Sequence, residues 1–118
     1  MDKDGPKLVI RAAQLAVFER EAVIDAVLRG HRAEAEAAGI DAFCARVEAA
    51  LARAAELGIE APVDQGRFAE LRLQLGDDLE QRPWARAILG WDRPAAQKLA
   101  QLEARAQREA LKQAGWSG

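Results

Sequence analysis

The chain has 118 residues, half of them apolar by a loose count, 5% aromatic, and a formal charge of −2. That is the size of one domain with a modest core, and the alanine-rich apolar share predicts close helix contacts rather than large side chains. The acidic balance, and basic residues without interleaved aromatics, argue against a nucleic-acid binder.

Proline at position 6 just after Asp4 marks a first helix from about Lys7 to Arg29, since proline needs no N–H in a first turn. Ile10, Ala13, Val17, Ile24, Val27 and Leu28 line one face at helical spacing, and Leu8, Leu15, Ala22 and Ala26 a second. Gln14, Glu21, Asp25 and Arg29 are left as a narrow polar seam, which predicts a helix buried on two sides. Gly30 and His31 interrupt it, "RAEAEAAG" extends it as a polar stretch, and Gly39 closes it. Asp41 is the expected N-cap of a second helix, about 42–57, with Phe43, Val47, Ala50, Leu51, Ala54 and Leu57 facing inward and Gly58-Ile59 as its stop.

Asp64 is the expected cap of a third helix, with Val63 and Phe68 at the spacing of a hydrophobic staple. Phe68, Leu71 and Leu75 face inward and Gly76 ends the helix. A turn at Asp77-Asp78, pinned by Leu79, leads to a short fourth helix opened by Pro83-Trp84 and closed by Gly90. Trp84, with Leu75, Leu79 and Ile88 around it, is expected to anchor this corner. Asp92 should cap a fifth helix with Pro94 in its first turn and Ala95, Leu99, Leu102 and Ala106 as a thin apolar stripe. Beyond Ala106 the helix is polar and is expected to project. The prediction is an all-α, single-domain bundle of about five helices over 1–118, with flexible ends at 1–6 and 114–118. Its structural anchors are Phe43, Phe68, Leu75, Gly76, Trp84 and Ile88.

Charge is unevenly spread: residues 41–80 carry 4 basic and 9 acidic groups, residues 81–118 carry 7 and 3. Such asymmetry can steer a charged partner. Catalytic patterns are missing. His31 lies between Arg29 and Arg32 and reads as a surface-loop histidine. Cys44 is the single cysteine, so no intrachain disulfide forms, and beside Phe43 it reads as a small buried thiol without a base to activate it. Asp77, Asp78 and Glu80 lack the alternating oxygen ligands of a calcium loop. No metal, cofactor or catalytic residue is therefore expected. Trp91 reads as local packing; Trp116 in the tail has no assigned role. The N-terminus has no signal-peptide pattern and no apolar run reaches the roughly 20 residues that span a bilayer, so a cytoplasmic, non-membrane protein is expected.

The punctuation from Phe43 to Gly90 carries a resemblance. Leu57-Gly58-Ile59, Asp64, Phe68, Leu75-Gly76, Pro83-Trp84-Ala85 and Ile88-Leu89 resemble a family of small helical proteins encoded beside spike, PAAR and effector genes of bacterial type VI secretion systems. Leu57 stands where that family has an aromatic, and 77–82 lacks its Phe-Asp step. The first and last helices take no part. The resemblance implies a non-catalytic protein-binding module: an adaptor or chaperone-like protein for a secreted effector or spike component, or an immunity protein for a toxin. A self-associating helical module is a third reading. The excess apolar face of the first helix places the expected contact at Leu8, Leu15 and Phe18, with Arg105, Arg108 and Lys112 of the last helix at its rim.

Overall fold

The structure is a computed structural model, described for residues 19–115, and every regular element among them is helical. Helix α1 occupies 19–30, followed by α2 (Arg32–Ala38), α3 (Ile40–Glu56), α4 (Pro62–Leu75), a 3-10 turn at Leu79–Gln81, α5 (Pro83–Leu89) and α6 (Ala95–Gln113). Among the described residues the all-α expectation holds, with six α-helices against about five expected, because the break at His31 makes α2 a helix of its own. The chain divides inside α3, between Glu48 and Ala49, into two compact units.

In the first unit, His31 sits outside helical geometry (φ −127°, ψ 37°), and α2 starts after it. Gly39, at φ 96°, ends α2, and its carbonyl already accepts the Phe43 N–H of α3. One glycine therefore serves both helices, and Asp41 falls in the first turn of α3 instead of capping it. A carboxylate there still favours the helix through the dipole. Val27, Ala35, Phe43 and Val47 are buried, but Ala22 and Ala26, the described members of the second apolar face of α1, are exposed. Alanines bury too little area to force a contact, so over this stretch α1 is amphipathic, not buried on both sides. The proline-marked start, Leu8, Leu15, Phe18 and Trp116 lie outside the described residues.

The second unit is organised by two glycine stops. Gly58, at φ 87°, donates its N–H to Ala55, and the Ile59 N–H reaches back to Ala54 at 3.0 Å. This paired pattern satisfies the orphan carbonyls at the end of α3, and it turns Ile59 into the core. Gly76, at φ 105°, ends α4 with its N–H on the Arg72 carbonyl. A side chain in either left-handed conformation would be strained.

In two further places the cap differs from the sequence expectation. Helix α4 starts at Pro62 with Ala61 as its cap residue, so Asp64 lies in the first turn and Val63 is a helical residue left 70% exposed. The staple with Phe68 therefore does not form. Helix α6 starts at Ala95 with Pro94 in the cap position (φ −57°, ψ 147°), and Asp92 lies outside the helix, exposed. In both cases proline's fixed φ and missing N–H decide the start, and Asp64 pairs with Arg67 instead of capping.

Ala54, Ile59, Phe68, Leu71, Leu79, Ala85, Leu99, Leu102 and Ala106 form one buried cluster, with Leu57, Leu75, Trp84, Ile88, Leu89 and Ala95 packed around it. The predicted stripe of α6 is buried at Leu99, Leu102 and Ala106. Fully burying a side chain the size of Phe68 contributes about 1.5–3 kcal/mol, so the few large residues carry much of this core.

Candidate functional site

The corner around Trp84 is built by short-range geometry. Arg82, with extended backbone (φ −67°, ψ 131°), leads into Pro83 at the first position of α5. Its guanidinium Nη2 donates to the Leu75 carbonyl at 2.7 Å, spanning the turn that Gly76 opens. Leu79 is fully buried beneath that turn. Trp84 is half-buried against the core, and the Arg105 guanidinium carbon lies 5.6 Å from its ring centroid. The tryptophan is thus an anchor with one face under a cation, an arrangement worth about 0.5–1 kcal/mol beyond burial at a partly exposed site. The Nε atoms of Arg72 and Arg82 are buried without a hydrogen-bond partner, and nothing in the surrounding packing explains them.

Ion pairs join the elements of this unit. Arg53 of α3 bonds Glu80 through Nε at 2.8 and 3.0 Å and through Nη2 at 2.6 Å. Arg67 of α4 forks onto Glu103 of α6 at 3.0 and 2.6 Å and also reaches Asp64 at 3.2 Å. The Glu80 and Glu103 hydrogen bonds hold the guanidinium pKa values of Arg53 and Arg67 above their usual range. Lys98 of α6 donates to the Leu89 carbonyl at the end of α5. Asp77 lies 3.5 Å from Arg72. These contacts separate residues up to 36 positions apart, which is why the sequence did not disclose Arg53, Arg67, Glu80 or Glu103.

On α6, Arg105 donates to Glu109 at 2.9 Å, and Lys112 lies 3.8 Å from the same carboxylate. The Arg105–Glu109 pair has the i,i+4 spacing of a helix-surface ion pair. The Arg105 hydrogen bond, then Lys112, Arg105 and Arg82 through their charge, hold the Glu109 carboxyl below the usual range despite some desolvation. Of the three predicted rim cations, Arg105 is therefore engaged within the fold, whereas Arg108 and Lys112 are exposed. Leu111 between them is 40% exposed.

Clefts among the described residues include the following two. One, of about 340 Å³, runs between α4 and α6 and is lined by Arg67, Glu70, Leu71, Gln74, Glu103 and Gln107. Its arginine is already paired with Glu103 and Asp64. The other, of about 260 Å³, lies in the first unit between Leu28, Ala35 and Ile40, with Arg29, Arg32 and Glu36 at its edge. Arg32 and Glu36 pair with each other across one turn.

His31 lies in the turn at the α1–α2 break, half-buried rather than on the surface, with Nδ1 3.0 Å from Glu34 and its ring centroid 6.2 Å from that of Phe43. The helix interruption turns it inward. Cys44 is half-buried rather than buried, because it flanks the stripe that Phe43 and Val47 occupy. Trp91 is 46% exposed, so only part of its indole packs locally. Among the described residues no group of three or more His, Cys, Asp and Glu could hold a metal ion, and no helix is long and apolar enough to cross a membrane. No family model, curated protein or solved structure matches the chain.

Proposed function

We propose that this chain is a non-catalytic protein-binding module, an accessory adaptor or chaperone-like protein for a type VI secretion effector or spike component. One observation carries the binding role. The inner stripe of α6 is fully used at Leu99, Leu102 and Ala106, yet the helix continues to Gln113 with Arg108, Leu111 and Lys112 exposed. Two further turns carrying an exposed leucine beside two cations have no evident core function, and such a mixed apolar and charged face suits an interface. The link to type VI secretion rests on the resemblance between Phe43 and Gly90.

An immunity protein is the second reading. It is favoured by exposed carboxylates on α3, Asp41 and Glu48, one heptad apart on the same side of the helix. Several acids of the 41–80 segment are instead committed inside the fold, Glu80 to Arg53 and Asp64 to Arg67, which weakens the idea of one concentrated acidic face.

Co-purification of the tagged chain with products of its neighbouring genes, followed by deletion of its gene, tests both readings. Loss of effector stability or export on deletion supports the adaptor. Self-intoxication that is relieved by deleting a toxin gene overturns it in favour of immunity.

A further inference from the structure

We draw no further inference here: the strongest candidate, the apolar cleft of the first unit between Leu28 of α1, Ala35 of α2 and Ile40 of α3, has its edge charges Arg32 and Glu36 paired with each other, and nothing in the structure shows what covers it.

Discussion

Trp84 shows how one residue's burial sets its energetic weight. From sequence it is the natural anchor of the corner, being the sole aromatic between Phe68 and Trp91. In the fold it is half-buried, one face under Arg105, while Phe68 is fully enclosed. Removing a fully buried aromatic costs about 3–5 kcal/mol, so Phe68→Ala should fall in that range, whereas Trp84→Ala should cost about 2–3 kcal/mol. Urea unfolding of the two variants measures the difference. Equal losses would mean that the indole carries more of the core than its exposure indicates. His31 and Cys44 show the same effect of context: their half-buried positions depend on a helix break and a helix face whose orientation no local pattern states.

At the scale of elements, the sequence revealed where helices stop better than where they start. Gly39, Gly58 and Gly76 all end helices at positive φ, because only glycine takes that conformation without strain. Starts are less legible, because aspartate suits both a cap and a first turn. Asp41, Asp64 and Asp92 were each expected to cap, and a glycine or a proline governs each start instead. What joins one helix to another was invisible, as with Arg67 and Glu103. Both partners are partly exposed, with side chains 29% and 42% accessible, so solvent screens the pair. A double-mutant cycle with Arg67→Met and Glu103→Gln should give a coupling of about 0.5–1 kcal/mol. A coupling near zero would mean that α4 and α6 are held by Phe68, Leu99 and Leu102 alone. The last turns of α6 should respond to acid. Because the folded Glu109 pKa is depressed, its contribution is present above the unfolded carboxylate pKa of about 4.3 and is lost as pH falls through the folded value. The difference in urea midpoint between wild type and Glu109→Gln should therefore be present at neutral pH and vanish in acid. A difference that persists unchanged in acid would show that Glu109 acts through packing.

At the scale of the whole molecule, the sequence suggests one domain because nothing in it marks a boundary. Boundaries are expected in exposed, proline- or glycine-rich connections. Here the division falls inside α3, where the apolar stripe from Phe43 through Val47 to Leu51 and Ala54 runs on without interruption. A periodicity argument cannot see such a division, because the helix is continuous while the contacts of its two halves are not. The buried cluster around Phe68 draws every member from between Ala54 and Ala106, and the ion pairs of Arg53, Arg67 and Arg105 all close within residues 49–118. A chain of residues 49–118 should therefore fold without the first unit. It should keep its helical circular dichroism signal and unfold cooperatively in urea, with a smaller slope than the full chain because less surface becomes exposed. Its stability should be low, since about 70 residues bury only about 60% of the unfolded surface. If 49–118 unfolds without a cooperative transition, the core around Phe68 depends on residues before Ala49, and the chain behaves as the single domain its sequence suggests.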